Sequence, residues 1–204
     1  MSTLTSVEAL EALYGAPNLA STAKVADRLT PPYRALIAAS PFLVLATVGP
    51  EGVDCSPRGD QPGRLITVQD DQTLLLPDRR GNNRVDSLRN VVRDPRVGLL
   101  FLIPGSCTTL RLNGRGQVRV DDALLYRLAV DGHRPRSVLV VQIQEVFFQC
   151  ARAVVRSELW NPDRFVDPNS LPTAGEILSS MSQGEAGGPA YDAEWPERAQ
   201  RTLW

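Results

Sequence analysis

The chain has 204 residues, a formal net charge of −1 and a hydrophobic content of 43%, the size and composition of one ordinary globular domain. The near-zero net charge argues against a general nucleic-acid binder, because such proteins carry a broad basic surface. With three scattered cysteines and one histidine, His133, the sequence also lacks the usual ligand sets for zinc or haem and the members of a Ser-His-Asp triad.

No apolar stretch approaches the length of a membrane-spanning helix, and the first residues do not have the pattern of a secretion signal. Cys55, Cys107 and Cys150 are odd in number and far apart, which is typical of a reducing compartment. The sequence therefore predicts a cytoplasmic protein with no membrane or nucleic-acid partner, no metal site and no disulfide framework. Cys55 and Cys150 are expected to be packed thiols.

The N-terminal segment 1–41 is predicted to be helical and to pack on the domain that follows. Residues 5–8 form a capping box, and Gly15 provides a helix stop. A second helix is expected at 22–29. A third is expected at 30–40, where a proline occupies the first helical position.

From Phe42 onwards the sequence becomes β-prone. Strands are expected at residues 42–48, 53–58, 65–68, 73–76, 97–103, 108–120 and 138–148, and helices at 83–94, 121–128 and 151–159. Because the strands follow one another in hairpin order with one helix inserted, we predict a mainly β (α+β) fold, drawn as a closed antiparallel barrel with helices at its ends. Gly114 and Gly116 lie inside a strand pattern and predict a bulge or a close backbone approach.

The segment 161–204 is predicted to be a C-terminal extension of a barrel domain at 42–160. It contains one short helix at 173–181, which begins with a capping box, and a linker-like stretch at 182–189. Trp195 and Trp204 lie in a region too polar to bury them, so they are expected to dock on this subunit or on a partner.

Residues 74–88 have the pattern of a buried strand, a polar loop and the start of a helix. The loop contains three arginines, Arg79, Arg80 and Arg84. A helix N-terminus offers unpaired N–H groups, and a guanidinium grips a phosphate with two parallel hydrogen bonds. Gly81 is expected to let the backbone turn. Two interpretations stay open from the loop alone: an anion site, or a solvated loop whose arginines pair with Asp78 and Asp86.

The order of these parts resembles the FMN-binding split β-barrel family of pyridoxamine 5′-phosphate oxidase. The resemblance covers a little under half of the chain and rests on the opening strand, on Ser56-Pro57-Arg58-Gly59, on Pro77-Asp78-Arg79-Arg80, on the helix 83–94 with its exit at 94–97, and on Thr109-Leu110-Arg111-Leu112-Asn113-Gly114. The tail from Cys150 to Leu178 is similar to a less-characterised subgroup of that family, generally regarded as FMN-dependent enzymes.

The resemblance implies an antiparallel split β-barrel with flanking helices, FMN as the cofactor, and a homodimer with the flavin at the subunit interface. The resemblance assigns the phosphate contacts to the loop that follows Pro77 and Asp78, through Arg79, Arg80, Asn82, Asn83 and Arg84. It places Ser56, Pro57, Arg58 and Gly59 on the strand beside the flavin ring or the phosphate. It also implies that Thr109 and Arg111 contact the flavin, either from the second subunit or from the strand that lines the ring. Where the family often has Ser-Arg-Lys this chain has Asn-Asn-Arg, so the individual phosphate roles stay open.

The expected activity is an FMN-dependent oxidoreductase that acts with an unidentified small-molecule substrate or electron donor. The Arg-x-His motif that true pyridoxamine 5′-phosphate oxidases use for their substrate is absent, so the vitamin B6 substrate is not carried over. No catalytic side chain is assigned, because a flavin supplies the hydride chemistry itself. Two alternatives stay open: an F420-dependent reductase, and a flavin-binding module without turnover.

Overall fold

The computed structural model describes residues 3–203, so Trp204 and its expected docking lie outside the described residues. The strands are β1 (Phe42–Gly49), β2 (Gly52–Gly59), β3 (Thr67–Val68), β4 (Thr73–Pro77), β5 (Arg96–Leu102), β6 (Thr109–Arg119) and β7 (Val138–Gln149). The helices are α1 (Val7–Tyr14), α2 (Leu19–Thr22), α3 (Pro31–Ala39), α4 (Asp86–Arg93), α5 (Asp122–Arg127), α6 (Arg152–Arg156), α7 (Ala174–Met181), α8 (Gly188–Ala193) and α9 (Trp195–Thr202), with 3-10 turns at Pro162–Arg164 and Pro168–Ser170.

The seven strands form one antiparallel sheet in the order β2-β1-β5-β6-β7-β4-β3. The split barrel with flanking helices is therefore confirmed, whereas the closed barrel is wrong: β2 and β3 remain as two edges. The reason lies in β3, which is only two residues long because the preceding residues 61–65 form turns and loop. Such a short strand presents too few backbone groups to pair with a second edge.

The core lies on the inner face of the sheet. Alternate residues of the central strands point inward, as the two-residue period of a strand requires. The fully buried members are Leu43, Leu45, Leu74, Phe101, Leu110, Leu112, Val141 and Val146. Helix α4 packs across β1 and β6, where Val91 is buried and Asn90 donates a hydrogen bond to Thr47 Oγ1 at 3.1 Å.

The glycines of β6 mark a real irregularity. The register of β6 against β7 shifts between Asn113 and Gly114. A Cβ atom at Gly114 would lie 2.3 Å from the carbonyl oxygen of Gln142, and one at Gly116 would lie 2.8 Å from Leu139 Cδ1. The predicted bulge and close backbone approach are both confirmed.

The N-terminal helices differ in part from the prediction. Ser6 is the cap of α1, accepting from the Ala9 N–H at 3.2 Å, and α1 itself buries no side chain. Asn18 caps the start of α2, which is only one turn long. The helix therefore ends at Thr22, where the expected helix 22–29 was to begin. Helix α3 begins after Thr30 as predicted and packs on the core through Tyr33 and Ile37. The division into segments 1–41, 42–160 and 161–204 stays a prediction.

The C-terminal extension contains the predicted capping box at the start of α7. The Thr173 side chain accepts a hydrogen bond from the Glu176 backbone N–H, and the Glu176 side chain accepts one from the Thr173 backbone N–H. Two further helices, α8 and α9, were not predicted. Trp195 is 54% exposed, so it does not dock fully on its own subunit.

Cys55, Cys107 and Cys150 are free and exposed in the single chain, which corrects the expectation that Cys55 and Cys150 are packed. Within residues 3–203, every helix is too short or too polar to cross a membrane.

Candidate functional site

A groove of about 500 Å³ opens where the edge strand β2 faces the end of β4 and the start of α4. It is lined from β2 by Asp54, Ser56, Pro57 and Arg58, from the loop between β4 and α4 by residues 78–85, from α4 by Asp86 and Ser87, and from the loop before β7 by Arg136. Its size lies within the range of small-molecule sites. We refer to residues 78–85 as the arginine loop.

Most of the residues predicted for the site come together here. Those that line the groove are Ser56, Pro57, Arg58, Asp78, Arg79, Arg80, Asn82, Asn83 and Arg84. Gly59 and Pro77 line an adjoining cavity of about 220 Å³, which shares several of the same walls. Thr109 and Arg111 lie on β6 outside both cavities of this chain, with the Arg111 guanidinium 5.1 Å from the centre of the Phe147 ring. The binding roles of these residues stay a prediction.

Strand β2 presents Arg58 to the groove with an unused donor. Its Nη1 lies 3.4 Å from Asp78 Oδ1, and its Nε is buried without a hydrogen-bond partner among the described residues. A buried donor left unpaired costs free energy, so the hydrogen-bonding capacity of Arg58 is incompletely used in the single chain. Burial raises the pKa of the Asp78 carboxyl above its ordinary value, and the nearby charges of Arg58 and Arg136 oppose that rise.

The three arginines of the arginine loop are not equivalent. Arg79 is engaged inside the protein: its Nε donates to Asp60 Oδ2 at 2.9 Å and its Nη1 donates to the Leu128 carbonyl at 3.1 Å. Arg80 is exposed and donates to the Arg201 carbonyl at 3.4 Å. Arg84 is 76% exposed and pairs with Asp86 at 2.8 Å. The carboxylate pairing left open from the sequence therefore holds for Arg84, whereas Asp78 pairs with Arg58.

The start of α4 has an unusual backbone. Its cap is Val85, in the left-handed region at φ 52°, with no side-chain hydrogen bond to the helix. A β-branched residue seldom adopts this conformation, and the first N–H groups of α4 are left without a side-chain acceptor. Asn82 instead accepts from the Arg84 N–H at 3.1 Å. The turn is made by Asn83 and Val85, and Gly81 is not in the left-handed region, which corrects the role expected for that glycine.

A buried polar contact fixes α4 against β2. Ser87 is 2% exposed and donates to Asp54 Oδ2 at 2.6 Å, and its Oγ lies 3.2 Å from Ser56 Oγ. The helix start is thereby held at a set distance from the strand that carries Arg58. The groove consequently has two rigid walls, a sheet edge and a helix N-terminus.

Six residues that line the groove were not among the predicted site residues: Asp54, Gly81, Val85, Asp86, Ser87 and Arg136. Arg136 is the one farthest in sequence from the predicted segments. It lies between α5 and β7, and its Nη1 donates to Asn83 Oδ1 at 2.8 Å. The only signal in the sequence is an arginine just before a strand. Its place in the groove follows from the pairing of β4 with β7, which bridges some sixty residues and leaves no local pattern.

A profile of the family described as pyridoxamine 5′-phosphate oxidase matches residues 29–150, more than half of the chain. No curated protein sequence matches.

Solved structures resemble the chain over about three-fifths of its length. The HupZ protein of Group A Streptococcus is 15% identical, with 60% of this chain and 94% of that chain covered and a TM-score of 0.50. A Lactobacillus delbrueckii protein, provisionally assigned as a pyridoxamine 5′-phosphate oxidase, is 24% identical, with 60% and 95% covered and a TM-score of 0.49. An FAD-binding protein from Mycobacterium smegmatis is 14% identical, with 61% and 97% covered and a TM-score of 0.41. At this sequence identity, the similarity to HupZ shows a shared fold only. The other two structures have lower TM-scores and add nothing to that conclusion.

Proposed function

The chain belongs to the pyridoxamine 5′-phosphate oxidase family, and we therefore propose that it is an FMN-dependent oxidoreductase that binds the flavin in the groove beside the arginine loop. The observation that carries the proposal is the groove itself. There, exposed guanidinium groups and an α4 N-terminus without a side-chain cap face one cavity of about 500 Å³. A helix N-terminus with adjacent arginines suits a terminal phosphate group.

The residues of the groove fit a flavin phosphate in chemistry as well as in size. Arg80 and Arg84 have exposed guanidinium groups at the rim, and Arg58 has a buried Nε that lacks an acceptor. We assign the phosphate to the arginine loop and the start of α4, and the ring side of the groove to β2. Arg79 has a supporting role, because Asp60 and the Leu128 carbonyl already take its donors.

When bound, the flavin supplies two-electron redox chemistry. The protein would hold its phosphate and orient its ring, while Arg58 would place positive charge beside the ring and favour its reduced, negatively charged form. A nucleophilic or basic side chain is not required for this class of reaction. We expect the substrate and the electron donor to be small molecules.

We further propose that the protein is a homodimer with the flavin at the subunit interface. The outer face of the sheet carries a row of partly exposed side chains that are apolar except for Arg111. In this row Val44 lies opposite Leu100 and Leu100 lies opposite Arg111. Arg111 in turn lies opposite Phe147. An apolar sheet face of this kind favours burial against a second copy. Such an arrangement would bring Thr109 and Arg111 of one subunit toward the groove of the other.

The absorbance spectrum of the purified protein and its affinities for FMN and riboflavin test the proposal. We expect a yellow protein with a flavin spectrum and a dissociation constant for FMN more than about a hundred times lower than for riboflavin. That ratio follows because riboflavin lacks several charge-assisted contacts to phosphate, each of which contributes roughly 1.5–3 kcal/mol. Reduction by NAD(P)H, followed by turnover with an electron acceptor, would distinguish an oxidoreductase from a binding module. A colourless protein that binds added F420 and not FMN would contradict the proposal.

A further inference from the structure

The residues before and after Arg136 in the sequence both restrict its position. Its neighbour Ser137 is buried, and the Ser137 carbonyl accepts from the Asp78 N–H at 2.9 Å. This bond continues the ladder of β4 and β7, in which Pro77 pairs with Val138. Pro135 precedes Arg136 and restricts the backbone there. The guanidinium is therefore presented by the rigid start of a strand, next to the residue where the arginine loop begins.

The partner of Arg136 is neutral, as is that of Arg80, whereas Arg58, Arg79 and Arg84 have charged partners. Arg58, Arg79 and Arg84 each pair with a carboxylate, at 3.4, 2.9 and 2.8 Å respectively. Arg136 donates to an amide oxygen, and within residues 3–203 it makes no ion pair with an Asp or Glu side chain. The Arg136 charge acts on the Asp78 carboxyl, which pairs directly with Arg58 and not with Arg136. One hydrogen bond leaves most of the five N–H donors of Arg136 available.

Asn83 has a conformation that directs its amide at Arg136. Its backbone is left-handed, with φ 63°, a region that asparagine tolerates better than most residues. Asn83 Oδ1 accepts from Arg136 Nη1 at 2.8 Å. The side chain fixes one edge of the guanidinium and does not occupy the others. Asn83 therefore orients Arg136 without neutralising it.

We propose that Arg136 binds the terminal phosphate of the flavin and that Asn83 is its positioning residue. This inference rests on the proposed function, and it adds a phosphate ligand from the loop between α5 and β7, outside the arginine loop. The groove then offers guanidinium groups on two separate segments, which would meet on the same phosphate. The competing explanation is that Arg136 only ties its loop to the arginine loop through Asn83. The two explanations differ in whether Arg136 discriminates between FMN and riboflavin, which lacks the phosphate.

The test is to measure dissociation constants for FMN and riboflavin, by quenching of flavin fluorescence, together with the melting temperature of each flavin-free protein. The variants are Arg136→Ala, Arg136→Lys and Asn83→Gly, since glycine keeps the left-handed backbone and removes only the amide. Arg156→Ala, at an exposed arginine on α6 away from the groove, is the matched control.

We expect Arg136→Ala to weaken FMN binding by about ten- to a hundredfold and to leave riboflavin binding unchanged, because only the phosphate contact is lost. Arg136→Lys should weaken FMN binding less, because it keeps the charge but loses the fork geometry. Asn83→Gly should cause a smaller loss than Arg136→Ala. The double variant should bind FMN no more weakly than Arg136→Ala alone, since the two residues act through one contact.

Three results separate the possible failures. If the unaltered protein binds no FMN, the proposed function fails and this inference fails with it. If the unaltered protein binds FMN and Arg136→Ala binds it equally well, only the role of Arg136 is overturned. If Arg136→Ala weakens FMN and riboflavin by the same factor, Arg136 holds the loops together and does not bind phosphate. Should Arg136→Ala fail to fold, the ratio of FMN to riboflavin affinity in Arg136→Lys decides.

Discussion

Single residues of the groove differ in how free they are to bind an anion. Arg79 is 18% exposed at its side chain, and its Nε and Nη1 donate to Asp60 and to a backbone carbonyl. Arg80 is exposed, and among residues 3–203 its guanidinium donates one hydrogen bond, to the carbonyl of Arg201 in α9. Adjacent positions of the chain thus carry one arginine that holds the structure together and one that is available to a ligand.

This contrast predicts opposite effects for the same substitution at neighbouring sites. Arg79→Ala should lower the free energy of unfolding by about 1.5–3 kcal/mol, because it leaves Asp60 partly buried without its charged partner. Arg80→Ala should leave that free energy nearly unchanged and weaken FMN binding selectively over riboflavin. Denaturant titration and flavin titration of both variants measure the two quantities. Equal effects of the two substitutions on unfolding would contradict the division of roles.

At this scale, the sequence predicted which residue types line the site better than it predicted their roles. The cluster of arginines after a buried strand was visible, and the groove brings that cluster together. The backbone conformation was not visible: Gly81 was the expected turning point, yet Asn83 and Val85 are the left-handed residues. A valine in that conformation contradicts local preference, so only the tertiary contacts around it can specify it.

Among the secondary-structure elements, the strands were predicted best. Strands β1, β5 and β7 carry apolar runs whose inward members fill the core, and that pattern is readable without a structure. Helices α8 and α9 were missed. Their segment, from Gly188 to Thr202, reads as a Pro- and Gly-containing tail, and among the described residues α9 buries only Ala199. A helix with so few apolar residues offers little surface for the core, so its sequence does not stand out from a polar tail.

The bulge in β6 permits a sharper prediction at the level of elements. Gly114→Ala should destabilise the fold by about 1–3 kcal/mol, because its new methyl group would lie 2.3 Å from the backbone oxygen of Gln142. Backbone of a central ladder cannot move aside without breaking hydrogen bonds between β6 and β7. Thermal and denaturant unfolding of the variant measure the loss.

Gly81→Ala provides the matched control for that substitution. A Cβ atom at Gly81 meets nothing within 4 Å, and its backbone is outside the left-handed region. The free energy of unfolding should therefore stay the same or rise slightly, since alanine reduces the freedom of the unfolded chain. A Gly114→Ala variant as stable as Gly81→Ala would mean that the β6 bulge can relax without loss.

For the whole molecule, the proposed dimer makes the outer sheet face the decisive surface. Leu100→Asp would place a carboxylate in the centre of the row formed with Val44 and Arg111. We expect the unaltered protein to sediment at twice the chain mass at micromolar concentration, and Leu100→Asp to sediment as a monomer with weakened FMN binding. The cost arises because a carboxylate buried in the interface loses its hydration, and the attraction of Arg111 opposite it offsets that loss only where the pair has excellent geometry.

Val155→Asp is the control for the dimer experiment, because Val155 is 59% exposed on α6 and outside that row. It should leave the sedimentation of the protein unchanged. An unaltered protein that is a monomer with flavin bound would contradict the proposed assembly.

The pairing of β4 with β7 also determines when the groove can form during folding. Thr73 pairs with Gln142 and Pro77 with Val138, so β4, which leads into the arginine loop, has only the two-residue strand β3 as a partner until β7 has been synthesised. Contacts between such distant segments form slowly, because a long loop must close before they stabilise the chain. A nascent chain that ends before β7 therefore has the arginine loop but no rigid site. We therefore expect flavin to bind only after the whole domain has been synthesised and folded. Its binding would then stabilise the folded chain by mass action.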